Sequence, residues 1–81
     1  GRIDTIIHCG AIITSDAIEE EDAADFDRLF HTNLRSAWLL AKYGAPALER
    51  VGGSMIGIAS VNGHRATFAC SLYAGTKAGL I

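Results

Sequence analysis

The chain has 81 residues, a formal net charge of −2, and 49% hydrophobic against 20% charged residues. This is the composition of one globular domain at most, and it excludes a disordered tail. The slight acidity argues against non-specific nucleic-acid binding, which needs a basic surface. No apolar run approaches the roughly 18–20 residues of a membrane span, and no apolar signal segment opens the chain.

Ile3 to Cys9 reads as the first strand. Ile3, Ile6 and Ile7 are apolar, Thr5 is β-branched, and Gly10 follows as a breaker. The near-continuous apolar character after Asp4 predicts a strand buried on both faces of a parallel sheet. Ala11 to Ala17 is a loop containing the turn formers Thr14, Ser15 and Asp16. Glu19, Glu20, Glu21, Asp22, Asp25 and Asp27 then mark a helix start, where the helix dipole favours negative charge. These carboxylates are consecutive, not spaced as in a calcium loop, so no metal site is expected there.

A long helix is predicted from about Asp22 to Glu49. Phe26, Leu29, Phe30, Leu34, Ala37, Trp38, Ala41, Ala45 and Leu48 recur at steps of three and four and form its apolar stripe. Asn33 lies on that stripe, and a polar side chain there must find a partner. Pro46 is expected to disturb the last turns, and Gly52-Gly53 to end the helix. Ser54 to Ser60 reads as a second strand, and Val61 to Cys70 as a loop. Ser71 is expected to cap a last helix. Both ends look cut, so residues 1–81 are expected to be the central part of a single larger domain.

Strand, helix, strand, helix is a βαβα pattern. It implies a parallel sheet with a right-handed crossover, part of a doubly wound, Rossmann-like α/β fold. Two parallel strands need neighbours, so the rest of the sheet is expected outside this chain. Ligands of such sheets bind beyond the carboxyl ends of the strands. Here those ends are His8-Cys9-Gly10-Ala11 and Ala59-Ser60-Val61.

Tyr73 and Lys77 are four residues apart and share one helix face. A nearby ammonium favours a phenolate, and a phenol so tuned can pass a proton near neutral pH. Ser60, at a strand end, could aim a hydroxyl at a carbonyl oxygen, and Asn33 could be the buried polar link behind Lys77. Other pairings are weaker. His8 and Cys9 point to opposite faces of a strand, and adding His31, His64 and Cys70 produces no recurrent ligand spacing, so no metal is expected. Ser60 and His64 lack the Gly-x-Ser-x-Gly elbow of a nucleophile. Cys9 and Cys70 make no disulfide framework, and a reducing, cytoplasmic setting is the default expectation.

Taken together, four segments resemble the short-chain dehydrogenase/reductase family across essentially the whole chain. Asp4-Thr5-Ile6-Ile7 is similar to the strand before the family's Asn-Asn-Ala-Gly motif, and Thr32-Asn33-Leu34 to its helix-kink asparagine segment. Gly53 to Gly63 resembles the catalytic-serine strand, and Tyr73-Ala74-Gly75-Thr76-Lys77 the active-site helix. Where the family has Asn-Asn-Ala-Gly, this chain has His8-Cys9-Gly10-Ala11, with the small pair kept but swapped, which marks a divergent branch.

The resemblance implies an oxidoreductase that interconverts an alcohol and a carbonyl with NAD or NADP. Tyr73 would be the general acid/base. Lys77 would lower the Tyr73 pKa and bind the nicotinamide ribose, Ser60 would orient the substrate oxygen, and Asn33 would hold a water in a proton relay to Lys77. Cys9, Gly10 and Ala11, with Tyr73 and Lys77, would line the cofactor. The pyrophosphate loop and the ribose selector are expected before Gly1, so the chain alone is expected to turn nothing over. A nucleotide-sugar epimerase or dehydratase with the same Tyr-Lys pair, or a non-catalytic cofactor-binding relative, are the alternatives. By resemblance the parent is also expected to be a homo-oligomer, with Trp38, Ala41, Ala74 and Ala78 suited to the contact.

Overall fold

A computed structural model describes residues 1–65 and 67–81; Ala66, within the expected loop Val61 to Cys70, lies outside the described residues. Two strands, β1 (Thr5–His8) and β2 (Ser54–Gly57), pair in parallel with Ile6 opposite Met55 and His8 opposite Gly57. Both are shorter than their apolar runs. The runs record where side chains avoid water, whereas the ladder extends only as far as a partner backbone does. One further bond, Ile58 N–H to the His8 carbonyl at 2.9 Å, continues the pairing beyond β2.

The expectation of burial on both faces is not met. Ile6, His8 and Met55 point to the helical side, while Ile7 is 58% exposed and Ile56 and Ile58 are each 47% exposed on the other. Within residues 1–81 the sheet is therefore covered on one face only.

The crossover from β1 to β2 is a single helical rod in three pieces. Helix α1 (Ala23–Phe30) passes into a π-turn (His31–Arg35), which continues as α2 (Ser36–Val51). Asp22 opens the rod as N-cap, its carboxylate accepting the Asp25 N–H at 2.8 Å. A short 3₁₀ turn, Ile18–Glu20, precedes it. Pro46 sits inside α2 without ending it. Pro46 and Lys42 are both exposed, so water can satisfy the Lys42 carbonyl that lacks an N–H from Pro46.

The rod ends at Gly52, which takes the left-handed conformation at φ 66°. Its N–H bonds to Glu49 O and that of Gly53 to Leu48 O at 2.8 Å, the paired closure of a Schellman motif. Any side chain at Gly53 would strike the Asp4 carbonyl. The two glycines therefore stop the helix and deliver the chain against β1, where Ser54 N–H reaches Asp4 O at 3.1 Å.

The apolar stripe divides differently from its sequence pattern. Leu29, Ala37 and Leu48 are buried, but Phe26 is 47% and Trp38 59% exposed. Leu29, Asn33 and Ala37 step by four, longer than the 3.6-residue period of an α-helix, and the wider π-turn keeps them in line. Phe26 instead stacks on Phe30 with ring centroids 4.3 Å apart.

The last helix, α3 (Ser71–Leu80), packs on α1, the π-turn and the 3₁₀ turn Val61–Gly63. Its N-cap is Cys70, whose carbonyl accepts the Ala74 N–H at 2.8 Å. Ser71, expected as the cap, is the first helical residue, because the preceding Ala69 takes φ 61° and turns the chain one residue earlier. The face of α3 toward the rod is nearly flat. A Cβ at Gly79 would lie 2.6 Å from Leu34 Cδ2, and one at Gly75 3.4 Å from Phe30 Cζ.

The Asp22 cap gives a direct check on this local account. Asp22→Ala is expected to lower stability by about 1 kcal/mol and Asp22→Ser by a few tenths at most, as read from urea midpoints. Equal losses in both variants would show that negative charge, and not the cap hydrogen bond, matters there.

Candidate active site

Lys77 in α3 reaches the carboxyl end of β2, with Tyr73 beside it on the same helix and Ser60 just beyond that strand end. Lys77, in α3, is 3% exposed. Its Nζ donates to the Ile58 carbonyl at 2.8 Å and lies 5.6 Å from the Tyr73 ring centroid, within cation–π range. A buried ammonium needs partners to offset its lost hydration. Ile58 supplies one, and two of the three ammonium hydrogens have no protein partner among the described residues. Tyr73 is half-buried, in the first turn of the same helix.

Ser60 follows Ile58 by two residues and caps the turn Val61–Gly63. Its Oγ accepts the Asn62 N–H at 3.2 Å, so its own hydrogen remains free to be donated. His64 is exposed, and the hydrogen-bond partner of Ser60 is Asn62, not His64.

Asn33 is fully buried. Its Oδ1 accepts the Ile12 N–H at 2.8 Å and its Nδ2 donates to the Ile12 carbonyl at 2.8 Å, so it pairs with both backbone groups of one residue. The second Nδ2 hydrogen goes to Thr76 Oγ1 at 3.1 Å, and Thr76 Oγ1 donates in turn to the Tyr73 carbonyl at 2.7 Å. The polar link to α3 thus runs through Thr76 and not directly to Lys77. Sequence reading did not single out Thr76. Its only signal was Asn33 itself, an amide on an apolar stripe that had to find a partner.

His8 and Cys9 lie on opposite faces, as expected from strand alternation: His8 is 4% exposed and Cys9 is open to solvent. His8 braces β1 to the rod. The Ser36 hydroxyl donates to Thr32 O at 2.5 Å, so the 2.7 Å contact between His8 Nε2 and Ser36 Oγ places the imidazole hydrogen on Nε2. Nδ1 is then a buried acceptor without a partner among the described residues. Cys9, Gly10 and Ala11 are exposed beyond β1, and a Cβ at Gly10 would meet nothing within 4 Å.

The Cys and His side chains do not converge into a ligand set among the described residues. The fold does bring Asp16, Glu21 and Asp25 together, with carboxylate oxygens within 4.8 Å of one another, a proximity their spacing did not foretell. Thr14 donates to Glu21 at 2.8 Å, and Arg28 pairs with Asp25 at 3.1 Å. Of the residues suited by resemblance to a subunit contact, Trp38, Ala41 and Ala78 are exposed, but Ala74 is buried within the chain itself. No helix among the described residues is long and apolar enough to cross a membrane. A groove of about 700 Å³ between β1 and α2 is lined by Ile6, Leu39, Leu40 and Tyr43 and by no residue of α3.

A family model described as enoyl-(acyl carrier protein) reductase matches residues 1–81. The chain belongs to the short-chain dehydrogenase/reductase family. It is 32% identical over 81 residues to glucose and ribitol dehydrogenase homolog 2 of Arabidopsis thaliana, covering 100% of this chain and 28% of that protein. It is 31% identical to the acetoacetyl-CoA reductase of Allochromatium vinosum, covering 99% of this chain and 33% of that one. The solved structure of ElxO with NADP bound superposes with a TM-score of 0.91 at 27% identity, covering 99% of this chain and 33% of that chain. The chain thus spans about a third of the length of these relatives.

Because Asn33 satisfies both backbone groups of Ile12, Asn33→Leu leaves two half-buried backbone groups and the buried Thr76 hydroxyl short of a partner. It is expected to cost about 3 kcal/mol by chemical denaturation of the polypeptide that carries this chain. An unchanged midpoint would contradict the bonding described.

Proposed function

We propose that the polypeptide carrying this chain is an oxidoreductase that interconverts an alcohol and a carbonyl of a small molecule with a nicotinamide cofactor. The observation that carries this reading is the buried Lys77 ammonium. It is fixed to the backbone two residues before Ser60 and lies against the ring of Tyr73.

The residues present fit such a cofactor. Two unassigned ammonium hydrogens in a buried setting suit a pair of ribose hydroxyls, and the open space at Gly10 lets a ligand approach the backbone at the end of β1. Lys77, Tyr73 and the segment Cys9-Gly10-Ala11 would hold it, and NAD and NADP are both within the proposal. The bound nicotinamide would supply the hydride to the carbonyl carbon.

The chain's own residues do the rest. The free Ser60 hydrogen points the substrate oxygen by donating to it. Tyr73 gives its phenolic proton to that oxygen as the alcohol forms, and takes it back in the oxidative direction. The neighbouring ammonium stabilises the negative charge left on the phenol oxygen. Asn33 holds the loop at Ile12 and, through Thr76, the Tyr73 helix. Its Oδ1 keeps one lone pair for a water on the path to Lys77. Relatives named as dehydrogenases and reductases favour this reading over a nucleotide-sugar epimerase.

The test is reduction of a panel of aldehydes and ketones by the full polypeptide, followed by the absorbance of reduced nicotinamide. Tyr73→Phe is expected to lower the rate by about a hundredfold or more. Equal rates for the parent and Tyr73→Phe would overturn the assignment.

A further inference from the structure

We propose that Thr76 is a positioning residue of this reaction: its hydroxyl fixes the rotation of α3 about its axis, and with it the aim of Tyr73 and Lys77. The proposal rests on the reading of the site given above and deepens it.

Thr76 is fully buried and its Oγ1 is used twice, donating to Tyr73 O at 2.7 Å and accepting from Asn33 Nδ2 at 3.1 Å. The first bond is local, the return of a helical hydroxyl to a carbonyl three residues back. The second is not. It spans 43 residues of sequence and ends on a side chain that is itself held by both backbone groups of Ile12.

Among the described residues, the other contacts of this face of α3 with the rod are apolar. Gly75 and Gly79 receive Phe30 and Leu34, so the helix lies close to the rod but offers no side chain there to interlock with it. Apolar contact across so flat a face is non-directional. Lys77 is tied to Ile58 O, but at the end of a long flexible side chain that accommodates rotation. The Thr76 hydroxyl stands two bonds from the backbone. Thr76 neighbours Lys77 in sequence and lies one turn after Tyr73 on the same side of the helix. A rotation that breaks its bond to Asn33 therefore re-aims both. Small misplacements of reacting groups act on turnover more than on cofactor affinity.

The experiment is steady-state kinetics of the full polypeptide on a carbonyl reduced in the panel above, with reduced nicotinamide as co-substrate. The variants are Thr76→Val, Thr76→Ser, Asn33→Ala, the Asn33→Ala/Thr76→Val double and Tyr73→Phe. Rates are normalised to folded protein at a temperature below every melting midpoint. Thr76→Val is expected to lower kcat by about tenfold while leaving KM for the nucleotide within about twofold. Thr76→Ser is expected to restore kcat to within about twofold of the parent, and Thr76→Val to add less than about twofold in the Asn33→Ala background.

The proposal is overturned by an unchanged kcat in Thr76→Val, by a Thr76→Ser variant as slow as Thr76→Val, or by losses that multiply fully in the double variant. Full activity in Tyr73→Phe would remove the underlying reading. An inactive Tyr73→Phe beside an undisturbed Thr76→Val would remove the role of Thr76 alone. Thr76→Ala takes the place of Thr76→Val in the same cycle if the valine variant does not fold.

Discussion

One buried amide holds the three parts of the site in a common frame. Asn33 stands on the helix stripe where a leucine would pack, and it spends three hydrogen bonds there, two on Ile12 and one on Thr76. Ile12 follows the exposed segment Cys9-Gly10-Ala11 at the end of β1, and Thr76 sits between Tyr73 and Lys77. An apolar residue at Asn33 would bury as much surface but could not set one orientation, whereas a satisfied polar network specifies geometry. The remaining side of the frame is closed by Lys77 on Ile58, which returns α3 to β2.

The π-turn is the backbone counterpart of that amide. By widening one turn it keeps Leu29, Asn33 and Ala37 on a single line facing the interior, and π-turns inside helices are frequent at functional sites. Its far end is tied to the sheet by the chain of contacts from His8 through Ser36 to Thr32. Here the departure from the family's amide at the end of the strand has a structural meaning. The imidazole reaches the rod from the strand and becomes the brace, with Cys9 left facing outward.

Much of this was legible in the residues. The order of strands and helices, the start of the rod at Asp22, its stop at Gly52-Gly53 and the one-face pairing of Tyr73 with Lys77 all follow from local chemistry. So did the requirement that Asn33 find a partner. The strands read too long, because apolar composition reports burial in a whole sheet, not the reach of one ladder. Phe26 and Trp38 lie on the apolar stripe by periodicity, which marks an apolar helix face but not how much of that face residues 1–81 cover. Ser71 is the expected cap because a hydroxyl is a good cap, but the left-handed Ala69 puts the boundary at Cys70. Thr76 was missed for a different reason: its decisive partner is 43 residues away, and no local pattern encodes a contact of that range.

The most direct test of the central claim is amide hydrogen exchange at Ile12 in the full polypeptide, compared with Asn33→Ala. An Ile12 N–H held by a buried amide should exchange far more slowly than the amides of the neighbouring exposed residues Ala11 and Ile13, and should lose that protection in the variant. Rapid exchange at Ile12 in the parent, or protection that survives removal of Asn33, would contradict it.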